Sequence, residues 1–224
     1  MRVAIAGAGA VGRSIAQELV SDGHQVMLIE RDFAHFEPHT VEQAEWVQAD
    51  ACELSSLEDA GMQLCDVVIA ATGDDKVNLV VSLLAKTEFA VKRVVARVNG
   101  PANEWLFTES WGVDVAVSTP RIMTAMVEEA VTVGDLVRIF SFHQSRADIL
   151  ELTLPDDSPL AGVRVGQIEW PTDTVLACIV RDARPIAPSP DDTLEGRDEL
   201  LFVTAREADE SALEQLLTHG PAAS

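Results

Sequence analysis

The chain has 224 residues, enough for one large domain or two small ones with a substantial core. Apolar residues make up 47% of it, which excludes a disordered protein. With 16 basic and 37 acidic residues the formal net charge is −21, and such a surface repels phosphate backbones and anionic lipid heads, which argues against direct binding to nucleic acid or to a lipid surface.

Cysteine use and hydropathy indicate the compartment. The three cysteines include no C-x-x-C pair, which is typical of reduced thiols in a cytosolic protein. Met1 and Arg2 lead directly into an apolar run, so no signal peptide is expected. No apolar stretch reaches the roughly 18–20 residues that a spanning helix needs. We therefore expect a cytoplasmic chain that does not cross a membrane by itself.

Residues 1–134 alternate short apolar strands with helical segments. The predicted strands are Val3–Ala6, Val26–Ile29, Trp46–Gln48, Asp66–Ala71, Val94–Val98 and Val115–Ser118. The predicted helices are Val11–Leu19, a broken helix around Pro38–Ala44, Leu54–Ala60, Asp74–Glu88, Ala102–Trp111 and a helix from Pro120 to about Val131. This alternation predicts a parallel sheet with helices on both faces, a Rossmann-like, doubly wound α/β domain.

Residues 135–224 follow a different pattern, that of a small α+β domain with a more antiparallel sheet. The predicted strands are Val137–His143, Ile149–Leu154, Val175–Arg181 and Leu200–Thr204, with a further strand beginning at Pro185–Ala187. Val163–Ile168 is compatible with a short helix or an extended segment, and Ala208–Leu217 predicts a closing amphipathic helix. The boundary between the two domains is predicted to follow Gly134.

A glycine motif opens the first domain: VAIAGAGAVG, residues 3–12, places G-x-G-x-x-G between the first strand and the first helix. Gly7 permits the tight turn, Gly9 lets backbone approach phosphates, and Gly12 lets the helix lie against the sheet. Glu30 ends the next strand about 20 residues further on, where a carboxylate holds both ribose hydroxyls and repels a 2′-phosphate. The motif predicts an adenine-nucleotide site, with NAD favoured over NADP, although the neighbouring Arg31 weakens that preference.

Three further strands end at the same edge of the predicted sheet, where open α/β sheets bind ligands. Asp50 is either an acceptor for the adenine amino group or the N-cap of the next helix. Thr72 and the Gly73 backbone are predicted to line the floor of the pocket. Arg97 either reaches the phosphates or forms a surface ion pair with a neighbouring acid.

The groups that catalysis needs do not form a recognisable set. The five histidines are scattered, tyrosine is absent, and no Ser/His/Asp or Cys/His arrangement or Walker-type lysine loop occurs. His35 and His39 have i,i+4 spacing, but Pro38 interrupts the helix that would align them, so no metal site is expected. The sequence favours a protein that reads a nucleotide. A small NAD-dependent oxidoreductase is the first alternative, and a nucleotide-binding module for another partner is the second.

The whole chain resembles the regulatory subunits of Trk/Ktr-type bacterial potassium uptake systems, the TrkA-like RCK (or KTN) proteins, and actinobacterial members in particular. In the first half the likeness is carried by GAGAVGRSIAQEL, VMLIERD, QADACE, VVIAATGDDKVNLVVSLLAK, VVARVN and WGVDVAVSTPRIM. In the second half it is carried by LTLPDDSPLAGVRVGQI and EGRDELLFVTA. The resemblance implies an RCK N-terminal domain over residues 1–134 and an RCK C-terminal domain over residues 135–224.

The resemblance also implies a function without catalysis. Such a subunit binds NAD(H), ADP or ATP in the cytoplasm and gates a potassium transporter at the inner face of the plasma membrane. The implied partners are the integral-membrane transporter subunit, further copies of the chain in a dimer-based ring, and a paralogous TrkA-like subunit. The implied nucleotide site comprises Gly7, Gly9, Ala10, Val11, Gly12, Glu30, Arg31, Asp50, Ala51, Ala71, Thr72, Gly73 and Arg97.

Two features of the family bear on ligand and assembly. ATP-preferring members often carry an arginine where this chain has Ala10, and Arg13 lies one turn further, which puts ATP-specific activation in doubt and leaves NAD(H) or ADP open. Some relatives bind cyclic di-AMP in the C-terminal domain, for which this sequence offers no local motif. The helix after Pro120 resembles a crossover helix that swaps between protomers. Its apolar face would pack on a partner, or alternatively on its own sheet: Ile122, Met123, Met126, Val127 and Val131.

Overall fold

The computed structural model describes residues 1–131, 133–142, 146–205, 208 and 210–220. These residues form two compact units, Met1–Arg121 and Ile122–Ser224. The domain boundary predicted after Gly134 stays a prediction. Among the described residues, none of the helices combines the length and the hydropathy that crossing a bilayer requires.

The first unit is built on a six-stranded sheet in the order β3-β2-β1-β4-β5-β6, and every neighbouring pair is parallel. The strands are β1 Arg2–Ala6, β2 Gln25–Glu30, β3 Glu45–Gln48, β4 Val67–Ala70, β5 Arg93–Val98 and β6 Val115–Ser118. The strand order reverses between β1 and β4, which opens a crevice at the carboxyl ends of these two strands. The predicted Rossmann-like, doubly wound class is confirmed.

Both faces of the sheet are packed against core residues, which explains the continuous apolar runs in the sequence of its central strands. In β1, Ala4 and Ala6 belong to one buried cluster, whereas Val3 and Ile5 belong to another. Successive side chains of a strand point to opposite faces, so a strand that is buried on both faces, such as β1, carries apolar residues at successive positions.

Three helices lie within the first unit: α1 Ala10–Ser21, α2 Leu54–Asp59 and α3 Asp75–Thr87. A fourth helix, α4 Thr119–Val131, begins in the first unit and continues into the second. Two expectations need correction. The helix predicted over Ala102–Trp111 is wrong, because the segment forms two 3-10 turns, Pro101–Leu106 and Glu109–Trp111, separated by an extended Thr108. The broken helix predicted around Pro38–Ala44 is reduced to a 3-10 turn at Pro38–Thr40, preceded by another at Phe33–His35.

The second unit contains a five-stranded antiparallel sheet in the order β10-β9-β11-β8-β7. Its elements are β7 Val137–Phe142, β8 Ala147–Thr153, β9 Thr174–Arg181, β10 Arg184–Ile186, β11 Glu199–Ala205 and helix α5 Glu210–His219. The predicted antiparallel sheet and closing helix are confirmed. Val163–Ile168 contains a 3-10 turn at Val165–Gln167, and His143 lies outside the described residues.

One face of this sheet carries the core of the second unit. Leu150, Leu200 and Phe202 are buried there with Leu213 and Leu217 of α5. Side chains of the strands alternate between this covered face and the opposite one, as expected for an antiparallel sheet with one core-facing side.

Candidate functional site

A cleft of about 570 Å³ lies at the carboxyl ends of the strands of the first unit. All residues predicted to form the nucleotide site, except Gly12, line this cleft: Gly7, Gly9, Ala10, Val11, Glu30, Arg31, Asp50, Ala51, Ala71, Thr72, Gly73 and Arg97. The fold therefore brings together residues from five different strand ends. Their role in binding a nucleotide stays a prediction.

The glycine loop shows three different steric demands. Gly7 has φ +99° and donates its N–H to the Ile29 carbonyl at 2.8 Å, and a Cβ there would lie 2.9 Å from Thr72 Cα. A Cβ on Gly12 would lie only 1.9 Å from the Gly7 carbonyl oxygen, whereas one on Gly9 would meet nothing within 4 Å. Gly7 and Gly12 thus shape the turn, and Gly9 leaves open space in front of it.

The start of α1 offers backbone donors to the cleft. Gly9 occupies the N-cap position and, having no side chain, leaves the first turn without a side-chain cap. The first N–H groups of a helix have no intrahelical acceptor, and the helix dipole makes this end positive. Ala10 and Val11 line the cleft at this point. The arrangement can hold an anion such as a phosphate.

Glu30 is fixed by two backbone donors. Its Oε2 accepts the Ala8 N–H at 2.8 Å, and its Oε1 accepts the Asp32 N–H at 2.8 Å. Each carboxylate oxygen can accept a second hydrogen bond, so the group keeps acceptor capacity toward the cleft. The two bonds set its orientation before any ligand arrives.

Asp50 lies beside Arg31 at the rim of the cleft, with Nη1 and Oδ2 3.3 Å apart. Its other oxygen accepts the Cys52 N–H at 2.9 Å in a local turn. The N-cap of α2 is Glu53, so the alternative interpretation of Asp50 as that cap is wrong. Burial raises the pKa of the Cys52 thiol, and the nearby Asp50 charge adds to the effect.

Arg97 supplies a cation at the cleft with unused donor capacity. Its Nε is buried and has no hydrogen-bond partner among the described residues. Within that part of the chain the guanidinium also forms no ion pair, so the surface pairing considered as an alternative is not seen. A buried N–H without an acceptor costs free energy, which a bound anion would recover.

Asn78, which sequence reasoning missed, holds the floor of the cleft. Its Oδ1 accepts the Thr72 N–H at 2.9 Å and the Thr72 hydroxyl at 2.6 Å. Its Nδ2 donates to the carbonyl oxygens of Thr72 at 3.2 Å and Arg97 at 2.8 Å. The side chain is fully buried. An asparagine inside the apolar run of α3 was the signal in the sequence that could have identified it.

Asp75 is a second buried polar group that the sequence analysis missed. It accepts hydrogen bonds from the Asn99 N–H and amide on Oδ1, and from the Gly100 N–H and Asn103 amide on Oδ2. Burial alone would raise the pKa of Asp75, but these hydrogen bonds outweigh it and hold the pKa below its ordinary value. The carboxylate ties the loop after β5 to the start of α3.

Arg13 does not line the cleft. Its Nη1 lies 2.7 Å from Oε2 of Glu37, which belongs to the segment following β2. The lining instead includes residues that were not predicted, namely Ile29, His35, Ala49, Asp74 and Val77. The ionisable groups of the lining are thus three carboxylates, two guanidiniums and one imidazole, so the lining carries no net positive charge to offset a highly charged anionic ligand.

Comparison with known proteins supplies a family context. The TrkA-N domain family matches residues 3–119 and the TrkA-C domain family matches residues 149–217. The Trk system potassium uptake protein TrkA of Mycobacterium tuberculosis (strain H37Rv) is 56% identical over 217 residues, covering 97% of this chain and 99% of that protein.

Solved structures share the fold. The GsuK channel bound to NAD superposes with a TM-score of 0.66 at 20% identity, covering all of this chain and 40% of that one. GsuK bound to ADP superposes with a TM-score of 0.51 at 19% identity, covering 60% of this chain and 35% of that one. The chain therefore spans about two fifths of the channel chain or less.

Proposed function

The chain belongs to the TrkA family of Trk-system potassium uptake proteins, and on that premise we propose that it is a cytoplasmic, nucleotide-sensing regulatory subunit. It binds NAD(H), ADP or ATP in the cleft of the first unit. It gates potassium flux through a separate integral-membrane transporter and does not transform the nucleotide. The observation that carries the proposal is the gathering of the predicted nucleotide residues, Gly12 apart, around one cleft.

Each part of an adenine nucleotide has a complementary group in this proposal. The phosphates meet the free N–H groups of α1 and the Arg97 guanidinium. The ribose hydroxyls donate to Glu30, whose carboxylate is already oriented by two backbone bonds. The hydroxyl of Thr72 lines the cleft and donates its hydrogen bond to Asn78, so its role is to hold the floor of the cleft in place. The residues of the lining therefore support binding of a nucleotide rather than a chemical reaction of it.

Charge in the cleft favours NAD(H) or ADP over ATP. The charge of Arg31 is offset by the neighbouring Asp50, which leaves Arg97 as the lining guanidinium without an ion pair among the described residues. One guanidinium and one helix end compensate a pyrophosphate better than a triphosphate. The bound NAD and ADP of the two GsuK structures support the same ligand class.

The gating step needs a difference in affinity between two shapes of an oligomer. A ligand that binds one shape 100-fold more tightly shifts the equilibrium by about 2.7 kcal/mol per site. We place further copies of the chain, or a paralogous subunit, against α4. Its predicted partner face is exposed in the single chain: Ile122, Met123, Met126, Val127 and Val131.

Potassium uptake by cells tests the proposal. Cells lacking the chain are complemented with wild type or with Gly9→Asp, which places a charged side chain at the phosphate position. Wild type should restore regulated uptake, and Gly9→Asp should not. Equal uptake with both would contradict a nucleotide-gated role.

The alternative of a small oxidoreductase is tested in parallel. Purified chain is incubated with NADH and a panel of carbonyl compounds, and absorbance at the nicotinamide band is followed. The proposal expects no turnover beyond one equivalent per chain. Steady oxidation at catalytic amounts of protein would replace the regulatory assignment by an enzymatic one.

A further inference from the structure

We propose that a polar relay carries the state of the cleft to helix α4, from Thr72 and Arg97 through hydrogen-bonded side chains and one peptide bond to the ion pair of Glu104 and Arg121. The relay rests on the proposed function, because a nucleotide in the cleft is its input. It is argued from contacts that all lie within Met1–Arg121.

The relay begins at the cleft floor. Through its single amide group, the fully buried Asn78 bonds to the backbone of both Thr72 and Arg97. The Arg97 guanidinium carries the buried Nε that has no hydrogen-bond partner among the described residues. An anion that draws this guanidinium into the cleft pulls on a residue whose backbone carbonyl is already held by Asn78.

The second step crosses from β4 to the loop after β5. The Thr72 carbonyl accepts the Asn99 amide at 3.0 Å. The same Asn99 donates its N–H and its amide to Asp75 Oδ1 at 2.7 and 3.0 Å. These bonds couple the positions of Thr72, Asn99 and Asp75, so displacement of one residue strains the next.

The third step reaches α4. Asp75 Oδ2 accepts the Asn103 amide at 2.8 Å, and the next residue, Glu104, forms an ion pair with Arg121 in the first turn of α4. Asp75 is buried, whereas Asn103 and Arg121 are exposed and Glu104 is half-buried. The relay thus combines the hydrogen bonds around Asn78 and Asp75 with the ion pair of Glu104 and Arg121, which is weak enough to form and break.

Hydrogen exchange on the full chain tests the relay. Backbone exchange of α4, residues 119–131, is measured with and without saturating NADH, and in a second arm with ADP. In the wild type we expect nucleotide to change exchange rates in α4 at least threefold. In Glu104→Gln we expect nucleotide affinity within twofold of wild type, but a change in α4 below 1.3-fold.

Two variants keep the test specific. Glu45→Gln breaks the Arg2–Glu45 pair, at the opposite edge of the same sheet, and should keep the wild-type response. The exchanged pair Glu104→Arg with Arg121→Glu restores opposite charges and should restore the response.

The outcomes separate the relay from the proposed function. Binding without any change in α4 of the wild type, a full response in Glu104→Gln, an equal loss in Glu45→Gln, or failure of the exchanged pair to recover would each overturn the relay while the nucleotide site stands. If neither NADH nor ADP binds the wild type, the proposed function fails, and the relay falls with it.

Discussion

The two units differ in the chemical nature of the groups that they leave without a contact partner. In the first, the described residues at the cleft leave polar groups open: the first-turn N–H groups of α1 and the buried Nε of Arg97. In the second, one face of the sheet leaves apolar side chains uncovered. Phe140, Val175 and Val203 are 50%, 62% and 38% exposed.

Register explains the apolar surface of the second unit. Val203 lies opposite Val175 on one side and Ile149 on the other, and Ile149 lies opposite Phe140. These four residues form one row across β9, β11, β8 and β7. The cleft of the first unit thus offers polar donors, whereas the second unit presents an apolar sheet face of the kind that contacts other proteins.

The two units also differ in how each stabilises a buried carboxylate. Asp75 in the first unit is satisfied by neutral N–H donors, whereas Asp198 in the second forms a bidentate pair with Arg181, with both N···O distances 2.7 Å. Asp198 is fully buried, and its hydrogen bonds and charge raise the pKa of Arg181. Removing the hydrogen-bond partner of a buried carboxylate should therefore lower the free energy of unfolding most in the second unit.

The largest expected effect is that of Arg181→Met. It leaves the buried Asp198 charge unpaired and should lower the free energy of unfolding of the second unit by about 3–5 kcal/mol. Urea denaturation followed by the fluorescence of Trp170, whose ring centroid lies 5.4 Å from that of Phe202, measures this loss in a chain whose other tryptophans are replaced by phenylalanine.

The exposed Arg197–Asp156 pair is the matched control for that prediction. Arg197→Met should change the same free energy by less than about 1 kcal/mol, as is usual for a solvated pair. Equal losses in the two variants would show that burial of Asp198 does not set the cost.

Gly12→Ala should come next, at about 3 kcal/mol, because its Cβ would be 1.9 Å from the Gly7 carbonyl oxygen and overpacking of this kind forces the backbone to move. Gly9→Ala serves as the control and should cost less than about 1 kcal/mol, since its Cβ meets no atom. Thermal unfolding of both variants checks this. A Gly12→Ala protein as stable as wild type would contradict the packing described for the loop.

Asp75→Asn should lower the free energy of unfolding by about 2 kcal/mol at pH 7, because an amide cannot accept all four hydrogen bonds. Asp74→Asn is the control. Asp74 caps α3 by accepting the Lys76 N–H, and asparagine caps equally well, so little change is expected.

The pH dependence of the Asp75 effect has a definite sign. Its folded pKa is lowered, so its contribution is present above the unfolded pKa of about 3.9 and is lost as pH falls through the folded pKa. The difference in stability between wild type and Asp75→Asn should shrink below about pH 4. A difference that stays constant down to pH 2 would mean that the carboxylate charge is not what stabilises this loop.

The last comparison concerns nucleotide affinity, at the ribose end of the cleft. Glu30→Ala should weaken nucleotide binding by about 1–3 kcal/mol, the usual cost of losing hydrogen bonds to a charged group. Glu37→Ala removes a nearby carboxylate that does not line the cleft and should leave affinity within about twofold. Calorimetric titration compares the two, and equal losses would argue against a specific role of Glu30.

Much of the first unit could be predicted because its rules are local. Continuous apolar runs mark strands buried on both faces, and the spacing of Gly7, Gly9, Gly12 and Glu30 follows from the geometry of one strand, one turn and one helix. The same topology places the other strand ends at one edge. Part of the cleft lining was therefore within reach of the residue patterns, and the rest of the predicted set came from the family resemblance.

The polar network around Asp75 could not be predicted from the sequence, because its hydrogen-bond partners come from distant segments of the chain. Asp75 bonds to Gly100 and Asn103, and these bonds draw the following segment into 3-10 turns where local propensity predicted a helix. Likewise, Asp50 bonds to its own turn instead of capping α2. Which donor meets which carboxylate depends on loops that only the folded sheet brings together.

Calorimetric titration of NADH and ADP into wild type and Gly9→Asp tests the nucleotide site most directly. We expect one site per chain in the wild type and at least a 100-fold loss in the variant, with the melting temperature without nucleotide nearly unchanged because Gly9 faces open space. Absence of measurable affinity in the wild type, or equal affinity in Gly9→Asp, would contradict the assignment of the cleft.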